Sequence, residues 1–414
     1  MKKLSPLIIT FLVFFIFTAT SHAASNFDVT RSTENQEITN NFEAIEDLFD
    51  AVEQQSFNSI VGYTQQSAAN ATLNIRGLSA SINYLANSSA LTFQVPSLGI
   101  SKTFSNFNTR QENEDDFEAY IENNADGILT KMLQKMVATT ASDPVAGNPN
   151  SLMSTMATAD FDAAYDMAST SGEKKTKAEA EKKKETKREI GLEIGRFSSN
   201  GVEKNLLTLP LAYTHYFEDP RKKLRLSSPL SYIETNGSKA YKASFGATLN
   251  YPMNEQWSLI PAVRLGILGS QDMGSAALVY SGSLTSMYQH SYKDMSLMFG
   301  NMLSVMTTAD LKIEAHELPY DISNQVMKNG ISVEKPIGYK VLGKMASTEF
   351  SIANTQFFGD DLYIDNYTDL AVSIGTRKRV TGSSATDDSL HIGVTYTIGQ
   401  HGYKGGKLNF GYRF

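Results

Sequence analysis

The sequence predicts an N-terminal α+β domain followed by an antiparallel transmembrane β-barrel of about 12 strands. Three observations carry this expectation. From Lys407 onward, Leu408, Phe410, Tyr412 and Phe414 alternate with Lys407, Asn409, Gly411 and Arg413, the period of a strand with one apolar and one polar face. Segments of the same kind recur from residue 190 onward at roughly 15 to 20 residue intervals, separated by turn-rich stretches. Residues 24–172 lack that regularity and mix helical with alternating patterns.

The chain has 414 residues, 41% hydrophobic and 20% charged, with a net charge of -7. Nucleic acid is excluded as a partner, since it calls for a basic face. Met1-Lys2-Lys3, the apolar run from Pro6 to Phe17 and Ser21-His22-Ala23 form the charged, apolar and small-residue regions of a secretory signal peptide, residues 1–23. The alternative, a membrane-anchoring helix, needs ~20 apolar residues, more than this run supplies. Cysteine is absent, so no disulfide framework is expected.

Residues 24–172 are acidic, with roughly three acidic residues for each basic one. Asn40-Asn41 can cap a helix carrying Phe42, Ile45, Leu48, Phe49 and Val52 on one face. Leu73/Ile75, Ile82/Tyr84 and Leu91/Phe93/Val95 alternate as strands, and a further extended piece ends near Phe104. A helix is predicted over Glu112–Ala138, acidic in its first turn, with Gly127 able to split it. Asp143 to Ser151 is dense in turn residues. It reads as a rigid helix–helix connector, or as a ligand loop at the N-terminus of the helix that follows. That helix carries Leu152, Met153, Met156, Phe161, Ala164 and Met167 as an apolar stripe, which reads as core packing.

Residues 173–189 contain no large apolar side chain and set Glu and Lys at helical spacing, as in Glu179 with Lys183. They read as a charged helical linker, either a solvated spacer or a helix inside a polar lumen.

From 190 to 414 the expected strands include Ile190–Gly195, Leu207–Tyr213, a weaker Leu224–Glu234 interrupted by Pro229, Ala243–Tyr251, Leu259–Ile267, Ala276–Leu284 and Met295–Val305. Leu311–Met327 reads as a long loop that can hide another strand. Gly330–Ile337, Lys344–Phe357, Leu370–Ile374 and Leu390–Ile398 precede the last strand. An even count puts both ends of the barrel on the periplasmic side. Glu218-Asp219-Pro220 and Pro252-Met253-Asn254 then become periplasmic turns, Lys378–Asp387 a long periplasmic one, and 269–274, 309–329 and 358–367 outer loops. Phe217, Tyr251 and Trp257 fall at strand ends as an aromatic girdle. The expected lumen face is small and polar (Gly191, Ser244, Gly246, Gly393, Thr395, Gly411), with Glu193, Asp369 and Arg377 as possible lumen charges tuning ion passage.

The terminal strand, closing on Phe414, resembles the closing strand of bacterial outer-membrane β-barrels of the autotransporter and porin kinds. The resemblance implies an outer-membrane location in a Gram-negative bacterium, with outer-membrane lipid around the barrel. It also implies recognition of Leu408, Phe410, Tyr412 and Phe414 by the barrel-assembly machinery as the membrane-insertion signal. The linker resembles the lumen helix of autotransporter translocators.

No catalytic, cofactor-binding or metal-binding residues are expected. His215, His290, His316, His391 and His401 show no metal-ligand spacing. His215 resembles the strand histidine of outer-membrane phospholipases and deacylases, but Tyr216 and Phe217 stand where their serine follows, so no enzyme is expected. Asp360-Asp361 reads as a solvated outer loop. Two functions fit: a channel or transporter whose N-terminal domain lies in the periplasm or plugs the pore, or an autotransporter-like barrel displaying residues 24–172 to a surface partner. The absence of repetitive β-helix character in residues 24–172 favours the first. A periplasmic or surface protein partner for these residues is expected in either case.

Overall fold

The structure, a computed structural model, describes residues 25–34, 36–169, 186–219, 221–309, 311–313, 316–341, 344–376 and 389–413. The signal-peptide segment, most of the linker, Pro220, the 378–387 turn, Arg377 and Phe414 lie outside the described residues.

The N-terminal region is a six-stranded antiparallel sheet backed by helices. Strands β1 (Phe27–Ser32), β2 (Glu37–Phe42), β3 (Ala69–Ile75), β4 (Leu78–Tyr84), β5 (Leu91–Val95) and β6 (Ile100–Phe104) stand in the order β2-β1-β3-β4-β5-β6. Period-two alternation sends Val29, Leu73, Ile82 and Phe93 to one buried face. Helices α1 (Ile45–Asp50), α2 (Gln54–Phe57), α3 (Arg110–Glu122) and α4 (Ile128–Thr139) accompany this sheet. Asn40 and Asn41 do not cap α1; both belong to β2, where pairing with β1 occupies their backbone and Asn40 Oδ1 accepts from Arg31 Nη2 at 2.8 Å. The expected helix over 112–138 starts earlier, at a capping box formed by Thr109 and Glu112. It is divided at a turn in which Asn124, Asp126 and Gly127 adopt positive φ.

The C-terminal part is a closed antiparallel barrel of 12 strands. β7 (Thr186–Ser199) opens inside the range read as linker. β8 (Val202–Leu209) and β9 (Leu211–Tyr216) both pair with β7 and form one crossing. It is interrupted at Pro210, which has no N–H to give to the ladder. β10 (Lys223–Ser227) and β11 (Leu230–Thr235) likewise share a crossing beside β12 (Ser238–Pro252), interrupted at Pro229. There follow β13 (Trp257–Ser270), β14 (Ser275–Tyr292) and β15 (Met295–Ala309). The ambiguous 311–327 stretch contains a small hairpin, β16 (Leu311–Ile313) with β17 (His316–Leu318), and the start of β18 (Ser323–Val341). β19 (Lys344–Gly359), β20 (Asn366–Thr376), β21 (Ser389–Gly399) and β22 (Lys404–Arg413) complete the wall. The ring closes by pairing β22 with β7, Phe410 opposite Leu192 and Arg413 opposite Glu189.

Outside, the barrel is apolar: Ile194, Phe245, Val263, Leu303, Ile352, Val372 and Phe410 are all exposed. A belt of this extent exceeds what a water-soluble surface carries, whereas a closed sheet with its apolar side outward suits lipid. Leu408 and Tyr412 share the outward face of β22 with Phe410, and Phe217, Tyr251 and Trp257 are exposed at one end of the barrel.

That end, here the base, holds Thr186, Arg413 and turn residues 217–219, 221–222, 253–256 and 293–294; the opposite end, the mouth, holds connecting residues 200–201, 236–237, 271–274, 311–313, 316–322, 360–365 and 400–403. The N-terminal sheet sits over the mouth. Asn26 Nδ2 donates to Thr235 O at 2.6 Å, Ile45 N to Asp272 O at 2.8 Å, Gln134 Nε2 to Asp321 O at 2.9 Å and Tyr363 N to Val137 O at 2.9 Å. Its apolar core runs on without a break through residues 143–151 into the barrel.

Candidate functional site

The lumen is the part of the molecule where most of the predicted polar residues converge, and it is occupied. Helix α5 (Leu152–Ser169) lies within it, packed against β10, β12, β13, β14, β15 and β18. The occupant is the Met-striped helix; the charged linker, read as a spacer or a lumen helix, lies mostly outside the described residues.

The segment leading into the lumen is wholly buried, although it has no regular secondary structure. Its backbone finds partners both within the segment and on the mouth and wall, as a buried irregular segment requires. Asp143 Oδ1 accepts from Val145 N at 2.8 Å and Ala146 N at 3.2 Å, and Asn148 Nδ2 donates to Asp143 O at 2.6 Å. Asp143 Oδ2 accepts from Arg76 Nη1 at 3.1 Å and from Tyr320 OH at 3.2 Å, tying the neck to both the sheet and a mouth loop. Gly147 has φ 81°, and a Cβ there would lie 2.3 Å from Val137 O, so only glycine fits. The segment is the helix–helix connector foreseen from sequence, joining α4 of the N-terminal domain to α5 in the lumen.

Ser151 starts α5, its Oγ accepting from Ser154 N at 3.3 Å. Polar anchors from the wall then follow the helix downward. Lys242 Nζ donates to Asn150 O at 2.7 Å and Thr155 Oγ1 at 3.1 Å, and Lys328 Nζ to Thr158 Oγ1 at 3.2 Å. Arg264 Nε donates to Asp160 Oδ1 at 2.8 Å, and Tyr165 OH donates to Glu349. At the base, Lys223 Nζ donates to Met167 O at 2.7 Å, placing a cation at the negative end of the helix dipole. Asp166 faces Arg225 at 3.7 Å and Arg413 at 3.6 Å, and Glu189 pairs with both arginines. The helix therefore runs from mouth to base.

Apolar fit complements these bonds. Wall glycines open space for the large side chains of α5: a Cβ at Gly266 would meet Met156 Sδ at 2.4 Å, and one at Gly300 would meet the Phe161 ring at 2.9 Å. Gly266 and Gly300, which make this room, lie outside the small lumen face expected from sequence; Gly191, Gly393, Thr395 and Gly411 of that face line the cavity beside the helix.

Beside α5, largely along β7 and β19–β22, a cavity of about 410 Å³ remains, its wall mixing charged and hydroxyl groups with apolar ones. Glu193 and Asp369, both predicted lumen charges, line it. Glu193 accepts from Lys407 Nζ at 3.0 Å, and Asp369 from Lys328 Nζ at 3.4 Å and Thr397 Oγ1 at 2.7 Å. Asp162 of α5 opens into the same space. His215 turns outward, edge-on to Phe217 at 5.2 Å. The sequence reading missed Arg264, Lys242, Lys223 and Lys328; their signal was a series of cations at inward strand positions.

No family model and no curated protein matches the sequence. Solved structures with similar backbones include the β domain of the Bordetella autotransporter BrkA (12% identity, 56% of this chain and 99% of that one, TM-score 0.44). They also include the translocator domain of the autotransporter NalP from Neisseria meningitidis (12% identity, 64% and 96%, TM-score 0.41) and an outer membrane channel from Pseudomonas putida F1 (14% identity, 55% and 94%, TM-score 0.37).

Proposed function

We infer that this chain is an outer-membrane barrel of autotransporter-like organisation, which holds its N-terminal domain over the outer mouth by a helix threaded through its own lumen. One observation carries the reading. The sheet lies at the mouth, while the first barrel strand starts at the base, and α5 connects the two by passing through the barrel. A plug entering from the periplasm would leave its domain at the base. The first and last barrel strands start and end at the base, at Thr186 and Arg413; with both ends of an even-stranded outer-membrane barrel in the periplasm, the base is periplasmic and the domain external. Export by a cleaved signal peptide, insertion through the β22 strand and a non-catalytic role belong to the same proposal.

A second reading, a plugged channel, is favoured by the cavity beside α5, whose wall carries Glu193, Asp369 and Lys407. The two differ in where the domain is accessible and in whether solute passes.

The absence of cysteine makes site-directed labelling direct. Val61→Cys and Leu85→Cys, at exposed positions of the N-terminal region, are expected to react with a membrane-impermeant maleimide on intact cells. Met253→Cys, in a base turn, is expected to react only after the outer membrane is opened. The reverse pattern would overturn display and leave a periplasmic domain.

A further inference from the structure

We propose that the open face of the N-terminal sheet is a binding platform for an extended, uncharged polysaccharide. The inner face of this sheet is the apolar core. Its outer face carries an unbroken row across all six strands: Thr39, Thr30, Thr72, Ser81, Gln94 and Ser101, each opposite the next in register. The neighbouring row continues in kind with Ser32, Asn70, Asn83, Thr92 and Thr103. Asp28 and Glu37 are the charged members of the face, and it has no aromatic or cationic one. None of these side chains is buried. At strand spacings of ~4.8 Å the platform measures about 24 Å by 14 Å.

The composition selects the occupant. An anionic polymer needs cations, which the face lacks. Lipid or an apolar protein surface needs apolar area, also lacking, and two copies face to face would bury none. Hydroxyl and amide side chains both donate and accept, which matches sugar hydroxyls that do the same. Water competes for every such bond, so each nets little, and useful affinity requires a ligand spanning many positions at once. That condition selects a polymer over a mono- or disaccharide. The side chains are also held in place before binding. Thr30 and Thr39 hydroxyls share a hydrogen bond at 2.9 Å, Thr92 and Thr103 at 3.1 Å, and Asn74 Nδ2 donates to Asp28 Oδ2 at 2.6 Å. Such preorganisation lowers the ordering cost of binding. The barrel is engaged from strand ends and loops, at Asn26 and Arg76 among others, so the face stays open. The inference goes beyond display and holds whichever side of the membrane the domain occupies.

The test is affinity electrophoresis of the full chain in a sugar-free detergent, in native gels containing dextran, mannan or galactomannan, with heparin and polygalacturonate as charged comparisons. Retardation by at least one neutral polymer is expected, uncompeted by its monosaccharide. Thr72→Ala/Ser81→Ala/Gln94→Ala and, separately, Thr72→Arg are expected to weaken it at least tenfold while heat-modifiable migration stays normal. Asp115→Asn/Asp116→Asn, on the helical side, is expected to leave it unchanged. Retardation by no neutral polymer, by the polyanions alone, or equally for the face variants would overturn the proposal. So would a dimer of the full chain that the face variants dissociate.

Discussion

Arg264 on the barrel wall donates its Nε to Asp160 of the lumen helix at 2.8 Å, and both side chains are completely withdrawn from solvent. Its remaining guanidinium nitrogens donate to Ser244 Oγ at 3.1 Å and Ser227 Oγ at 2.9 Å. A buried pair of this kind is most sensitive to the loss of one partner, because the other charge is then stranded. Arg264→Met is expected to cost about 3–5 kcal/mol, read as a lower urea midpoint of the detergent-solubilised protein. Arg264→Met with Asp160→Leu is expected to recover most of that loss. Equal destabilisation by the double and single variants would show that the pair is not the helix's main polar anchor.

Phe161 and Gly300 are a size-matched couple, with the ring placed where a side chain at 300 would stand. Gly300→Val is expected to destabilise by about 1–3 kcal/mol through overpacking, lowering the temperature at which the folded band disappears on semi-native gels. Adding Phe161→Ala is expected to restore it in part. Additive losses would argue that α5 does not occupy this groove.

The barrel was legible because its signal is local. Residues such as Phe245, Leu249 and Tyr251 alternate with Ser244, Thr248 and Asn250 whatever the chain does elsewhere. The destination of α5 was not legible in the same way. Met156, Phe161 and Met167 describe a buried stripe equally well in a globular core and in a lumen, and only long-range pairing separates the two. Asp160, Asp162 and Asp166 on that helix, set against Lys223, Arg225, Lys242 and Arg264 on inward strand positions, hold the missing information as charge complementarity. Strands β1 and β2 escaped notice because Asn40, Asn41 and Arg31 disguise their alternation, and Arg31 is buried only by virtue of its bonds to Asn40 and Ser56 O.

Two buried phenols make the domain and its junction sensitive to alkali. Tyr84 OH donates to Glu114 Oε1 at 2.6 Å inside the domain, and Tyr320 OH donates to Asp143 at the mouth. Burial, reinforced by the neighbouring carboxylate, holds both well above the ordinary tyrosine range. A raised acid contributes stability that is fully present below the unfolded pKa, about 10, and is lost as pH rises beyond it. Thermal unfolding is expected to hold steady to about pH 10 and to fall above it. Tyr84→Phe is expected to flatten part of that fall. A midpoint independent of pH between 10 and ~12 would contradict the assignment of these phenols.

The lumen holds two obstacles in series, and planar-bilayer conductance can separate them. The neck, with Asp143 and Gly147 buried between sheet, helix and mouth loops, closes the mouth. Helix α5 fills the side lined by β10 and β12–β15, leaving the cavity that runs largely along β7 and β19–β22. The full chain is therefore expected to conduct little. Deleting residues 25–151 removes the neck and is expected to open the side cavity, giving a small pore past Glu193, Lys407 and Asp369. Deleting residues 25–169 removes the helix as well and is expected to raise conductance further. A pore of full size after the first deletion would mean that the domain, and not its own wall contacts, holds α5 in place.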